Sequence, residues 1–217
     1  MPSPLQPRLD EITAQTRTLV QAERLAVTDK FIGDLLASGL ESLHLPVGSP
    51  SPSFSLPDAT TGKTVRSADL LSLGWLVIVF FRGRWDPYCM TTLEAWQSEY
   101  PALRERNTLL VAISPQLPRQ NAFAAEQHKL TFPLLTDKDL EVATRFGLTY
   151  SIPEPMQQHF RSILVNLPFI NNDPSWRLPL PATFVVDPLG FIRYAEAHAD
   201  HRVRPDPADV LAALDSL

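Results

Sequence analysis

The chain is poor in cysteine: Cys89 is the only one in 217 residues. A single thiol excludes an intramolecular disulfide and any multi-cysteine zinc site, and it suits a reducing compartment. Glycine is also scarce, at eight residues, and no spacing among them builds a phosphate loop or a dinucleotide fingerprint. Long apolar runs are missing. The longest, Trp75 to Phe81, falls far short of the roughly 20 residues that span a bilayer. The opening "MPSPLQPRLD" holds no apolar stretch that would serve as a signal sequence. Positive charge is not in excess. The net charge is −5, which argues against a nucleic-acid partner, since phosphate binding wants a concentrated positive field. The expected setting is cytoplasmic, with no membrane and no nucleic acid among the partners.

What is present points to a packed domain. Hydrophobic residues make up 44% and charged residues 20%, a balance that supports a core. Residues 5–45 read as helical. Leu5, Leu9, Ile12, Thr16, Leu19, Glu23 and Ala26 fall three and four apart, and Phe31, Leu35, Leu36, Leu40 and Leu43 continue the stripe after a break expected near Thr28-Asp29. Such a stripe must be buried on its own domain or on a second copy of the chain, so a homodimer through residues 5–45 is one expected partnership. The Pro- and Ser-rich stretch 46–64 reads as an extended loop with a turn at Thr61-Gly62. From there strands and helices alternate. "WLVIVFF" is continuously apolar, as a central strand covered on both faces should be. "TLLVAIS" and "FPLL" are further strands, separated by a helix in "PRQNAFAAEQHK". "DKDLEVATRFG" is a helix closed by glycine. "ATFVVDPLGFIRYAE" is a hairpin, and "PDPADVLAALDSL" a final capped helix. "PEPMQQHFRSIL" suits a helix, and "NLPFINNDPSWRLPLP" reads as loop. The pattern predicts an α/β fold with a central mixed sheet flanked by helices. We divide it into a helical extension, residues 1–45, and a domain spanning 46–217.

The segment "FFRGRWDPYCM", residues 80–90, carries the chemistry. Asp86-Pro87 is a strong helix start, with Asp as N-cap and Pro as first helical residue. Cys89 is then the third residue of the helix, near the positive end of its dipole, where reactive cysteines are found. Asp86 opposes this. The helix terminus offers a thiolate about 0.3–1 kcal/mol. A carboxylate 4–6 Å away at an effective dielectric near 20 costs roughly 3–4 kcal/mol. The aspartate wins unless a cation intervenes, and Arg82 and Arg84 are the candidates. Asp86 has two other readings, a plain helix cap and an acid or base in its own right. Cys89 has one, a buried inert thiol. "HADHR", 198–202, lies in a loop with no evident third ligand, so no metal site is expected. Arg202 and Arg204 are candidates for the pocket edge.

These stretches resemble the peroxiredoxin-like branch of the alkyl hydroperoxide reductase and thiol-specific antioxidant family. The resemblance rests on "VGSPSPSFSLPDATTGKTVRSADLL", "VIVFFRGRWDPYCMTTLEAWQ", "LPLPATFVVDPLGFIRYA" and "DHRVRPDPADVLAAL". It implies a thioredoxin-like fold for residues 46–217. It places Cys89 at the position of the peroxide-attacking cysteine, Asp86 where ordinary peroxiredoxins carry threonine, and Arg82 at their proline. In the Cys-Pro-Tyr-Cys pattern of this branch, Asp86 replaces the first cysteine, so no dithiol remains. Trp85 and Tyr88 are implied to flank the pocket. Pro181 stands where an arginine is usual, and implies a cis Leu180-Pro181 peptide facing the helix start. The implied activity is that of a single-cysteine oxidoreductase. Cys89 reduces a hydroperoxide, becomes a sulfenic acid and is restored by an external thiol, with no cofactor and with altered or weakened activity. The alternatives are a non-redox enzyme acting on a small organic substrate through Asp86, and a retired binding or dimerisation module.

Overall fold

A computed structural model describes residues 4–216. The helices are α1 (Leu5–Leu19), α2 (Ala22–Ala37), α3 (Ser67–Leu71), α4 (Pro87–Glu105), α5 (Pro118–Gln127), α6 (Glu141–Arg145), α7 (Glu154–Ser162), α8 (Leu167–Asn171) and α9 (Pro207–Leu214). The strands are β1 (Ser55–Pro57), β2 (Thr64–Arg66), β3 (Trp75–Phe80), β4 (Thr108–Ser114), β5 (Leu134–Thr136), β6 (Thr149–Ser151), β7 (Arg177–Pro179), β8 (Ala182–Val186) and β9 (Ile192–Ala197).

The apolar run Trp75 to Phe80 forms the centre of a five-stranded sheet of order β5-β4-β3-β8-β9. β4 pairs with β3 in parallel, and β8 pairs with it antiparallel. β5 is parallel to β4, and β9 closes the hairpin with β8. The sheet is therefore mixed, as expected, with helices on both faces. Side chains alternate across it. Leu76, Ile78 and Phe80 enter one core with Phe146 and Phe184. Val77, Val79 and Phe81 enter the other, under α4, with Leu93 and Trp96. That two-sided burial is why the run shows no polar alternation. The β8–β9 turn is held by Asp187, whose Oδ1 accepts the Leu189 and Phe191 N–H groups.

The stripe of residues 5–45 is buried within the chain only in part: Leu5, Leu9 and Phe31 are covered, while Leu19, Leu36 and Leu43 stay exposed. Leu5 and Leu9 lie against Tyr88 and Ala95 of α4, with Arg8 paired to Glu94 at 2.8 Å. Phe31 of α2 meets Tyr150 of β6 at 6.1 Å between ring centres. The break falls at Val20 and Gln21, both in extended conformation, not at Thr28-Asp29. Those two polar residues carry helix-start chemistry, but Asp29 is occupied in pairing with Arg202 at 3.1 Å, and α2 runs through them to bury Phe31 and Ile32.

Other differences concern short elements. The 46–64 segment contains β1 and opens into β2, which form a small hairpin. Residues 166–181, read as loop, hold α8 and β7, and β7 pairs with β6. Strands of three residues give too short a pattern to separate from loop. The Leu180–Pro181 peptide is trans, since no cis bond occurs among the described residues. Gly147 stops the chain after α6 at φ +75°, and a Cβ there would come within 2.1 Å of the Leu43 carbonyl oxygen, so only glycine fits.

Candidate active site

The end of β3 delivers Arg82 into the interior, and a tight turn then leads to α4. Gly83 has φ +148°, and a Cβ on it would lie 2.6 Å from the Trp85 indole nitrogen, so this turn closes only with glycine. Asp86 caps α4. Its Oδ1 accepts the Tyr88 N–H at 3.0 Å, and Pro87 is the first helical residue. Cys89 is the third, as the cap predicts.

The other carboxylate oxygen is shared. Asp86 Oδ2 accepts Arg82 Nε–H at 2.8 Å and the Cys89 thiol at 2.9 Å. All three side chains are buried, at 3% exposure for Arg82 and 1% each for Asp86 and Cys89. Two weaker donors reach the sulfur, the Arg82 backbone N–H at 3.4 Å and Arg204 Nη2 at 3.6 Å. Arg204 is itself tied to the carbonyls of His201 and Val203.

The electrostatics follow from this packing. Burial pushes the Asp86 carboxyl up, but Arg82 foremost, with its hydrogen bond, brings it down to about 2. Asp86 is a committed anion. Burial pushes the Cys89 thiol up, and Asp86 adds to this. Arg204 and Arg82 offset only part, leaving the thiol at about 11. From a starting value of 9.0, that shift corresponds to roughly 2–3 kcal/mol against the thiolate. The Arg82–Asp86 pair is the cation contact that would have freed the thiol. It does not free it, because desolvation acts on Cys89 as well and the shared oxygen favours the S–H form.

A cavity of about 460 Å³ opens beside this turn, between the α1–α2 elbow and α7. Arg82, Trp85, Asp86 and Tyr88 reach its wall, and Cys89 does not. Trp85 packs edge-on to Phe160 at 5.2 Å, with the Arg82 guanidinium 5.0 Å over its ring. The Tyr88 hydroxyl bonds Thr13 Oγ1 at 3.1 Å. Two expected residues are elsewhere. Arg84 is exposed, bonded to Gln120 and lying 4.7 Å over Phe123. Pro181 is buried at the entry to β8 and does not line the cavity. Arg202 does line it, while Arg204 lies deeper, against the sulfur. His201 was not singled out as a site residue. It is buried at 8% exposure, lines the cavity and meets Tyr88 edge-on at 5.4 Å. Its loop between β9 and α9 gives no periodic signal, and the stretch "HADHR" that holds it suggested metal ligation, not a place on this wall.

Residues 47–195 match the model of the AhpC/TSA family. A Mycobacterium tuberculosis protein carrying a peroxiredoxin name is 31% identical over 107 residues, 49% of this chain and 67% of that protein. Peroxiredoxin Bcp of Escherichia coli is 30% identical over 105 residues, 48% of this chain and 65% of its own length. Among solved structures, peroxidoxin BcpB from Mycobacterium tuberculosis superposes with a TM-score of 0.63 at 24% identity, covering 80% of this chain and 99% of that one. This likeness shows the thioredoxin-like fold. No helix among the described residues is long and apolar enough to cross a membrane.

Proposed function

The chain belongs to the AhpC/TSA family, and on that premise we propose that it is a single-cysteine oxidoreductase that reduces hydroperoxides slowly through Cys89. The observation that carries this reading is the setting of the sulfur. The sole thiol sits in the first turn of α4 and receives the Arg82 N–H and the Arg204 guanidinium, donors suited to a thiolate and to the oxygen it attacks. The Cys89 thiolate attacks one peroxide oxygen, and the O–O bond breaks. A sulfenic acid forms, and the other oxygen leaves as an alcohol or water after taking a proton. An external thiol then displaces water to form a mixed disulfide, and a second thiol releases Cys89. With one cysteine, both reducing thiols come from outside the chain.

Burial and Asp86 together set the pace. A thiol at about 11 is ionised to roughly one part in 10⁴ at pH 7, and only that fraction reacts. Reaction also needs the first turn of α4 to loosen, because the sulfur is off the cavity wall. The alternative use of Asp86 as acid or base gains little support. A carboxyl at about 2 is a weak base at neutral pH, and its oxygens already serve Tyr88, Arg82 and Cys89.

Intact mass after exposure to hydrogen peroxide or cumene hydroperoxide tests the proposal. One added oxygen is expected at Cys89. Its rate should climb about tenfold per pH unit between pH 7 and 9, as thiolate accumulates below a high pKa, and no addition should occur in Cys89→Ser. If Cys89 in the folded protein gains no oxygen even at pH 9, the oxidoreductase reading fails.

A further inference from the structure

The cavity itself is built for more than a peroxide oxygen. Its volume, about 460 Å³, falls in the range of small-molecule sites. Leu25 of α2 and Met156, Phe160 and Ile163 on the α7 side give it apolar walls. Its charged lining is one-sided. Arg17, Arg24, Arg82 and Arg202 face only Asp29 and Asp86, in a chain whose net charge is −5. Asp86 is taken up by Arg82 at 2.8 Å. Asp29 is divided between Arg202 at 3.1 Å and Arg17 at 3.5 Å, and Arg202 is held more tightly by Asp200, at 2.8 Å, from outside the lining. Arg24 has no ion-pair partner among the described residues.

A second observation is independent of charge. His201 is more than nine-tenths buried and lines the cavity, yet neither ring nitrogen has a hydrogen-bond partner among the described residues. Its recorded contacts are the Arg204 bond to its carbonyl and the edge-on Tyr88 ring. The ring nitrogens are not fully buried and open to the cavity, where a ligand group can bond them in place of water. Burial and the surrounding arginines hold it well below 6.5, so at neutral pH the ring offers one donor and one acceptor.

We propose that this cavity binds a small organic carboxylate, its apolar body against Leu25, Phe160 and Ile163, its anion at Arg24, and a distal hydroxyl-type group on His201. The α1–α2 extension is then part of a binding site, since Leu25 and Arg24 both belong to it. The site uses no atom of Cys89, so it stands or falls separately from the thiol chemistry.

Calorimetric titration of the full chain with octanoate, octanamide and the ω-hydroxy derivative of octanoate tests it. Octanoate should bind at one site per chain, about tenfold more tightly than the neutral amide. The ω-hydroxy acid should bind more tightly still, and His201→Phe, which keeps the ring against Tyr88, should erase that advantage. Arg24→Gln, at an exposed position, should weaken both acids about threefold to tenfold and leave the amide unchanged. Leu25→Trp should block all three by filling the walls. No saturable binding of either acid at millimolar concentration overturns the proposal. So does equal affinity for acid and amide in the wild-type chain, a result that needs no variant to fold.

Discussion

Replacing Asp86 with threonine is expected to bring the Cys89 thiol down from about 11 towards the ordinary thiol range, and to raise its reaction rate at pH 7 by about 10-fold to 100-fold, the gain in thiolate being partly offset by its lower nucleophilicity. The reason is a change of anion. In the wild-type site two guanidinium groups, Arg82 and Arg204, converge on a pocket whose negative charge is carried by Asp86. Without that carboxylate, Cys89 is the acidic group left beside them, and the sulfur already touches the Arg82 N–H and Arg204. The Coulomb contribution that opposed the thiolate is then reversed, while desolvation stays. Threonine still caps α4, because its hydroxyl can accept the N–H that Asp86 now takes from Tyr88. Rates of alkylation and of hydroperoxide oxidation, compared at equal pH, give the measurement. An unchanged rate would mean that burial alone suppresses the thiol and that Asp86 is only a cap.

The second large effect is on stability. Arg82→Met leaves Asp86 buried at 1% exposure without its 2.8 Å partner. Breaking a buried pair from one side costs about 3–5 kcal/mol, because the remaining charge is uncompensated. In a chain of this length each kcal/mol shifts Tm by roughly 2–4 °C, so a fall of about 6–20 °C is expected. Arg204 is a partial substitute, which favours the lower half of that range. The pH dependence has a defined sign. In the wild type the Asp86 carboxyl lies at about 2, below its ordinary 3.8, so its stabilisation is present above pH 4 and is lost as pH falls towards 2. Once Arg82 is gone, burial dominates and the carboxyl moves above its ordinary value. The deficit of the variant should therefore shrink on going from pH 7 to pH 5. The double variant Arg82→Met with Asp86→Thr should recover most of the lost Tm, since no charge is left stranded. Thermal unfolding of the three proteins at two pH values separates these expectations from a simple packing loss, which would show no dependence on pH and no recovery.

Much of this site was legible in the sequence because it depends on local rules. Asp86-Pro87 fixed the helix start, and the helix start placed Cys89 in the first turn. The unbroken apolar run before it marked the central strand. Position two residues apart on a turn was not legible. Arg82 and Arg84 carry the same charge and flank the same glycine, yet Arg82 continues the buried path of β3 while Arg84 turns out to Gln120 and Phe123. Contacts across long separations were out of reach as well. Arg204 touches the sulfur from 115 residues away, and His201 arrives on the same loop. The break between α1 and α2 carries neither glycine nor proline, so nothing in composition marks Val20-Gln21. The depth of the thiol was hidden for another reason. Whether a residue in a helix's first turn faces the sheet or the surface depends on how α4 lies on β3, and that is set by Leu93 and Trp96 packing under it.

Reactivity at this site depends on the charge state of one sulfur. Because the chain has a single cysteine, protein isotope-labelled at cysteine Cβ gives one resonance, whose position reports thiol or thiolate without requiring any reagent to reach the site. Followed from neutral to alkaline pH in the folded protein, that signal should stay at the thiol position through pH 9 and move with a midpoint of about 11. A midpoint at or below that of an ordinary exposed thiol, about 8.5, would contradict the claim that burial and Asp86 hold Cys89 protonated.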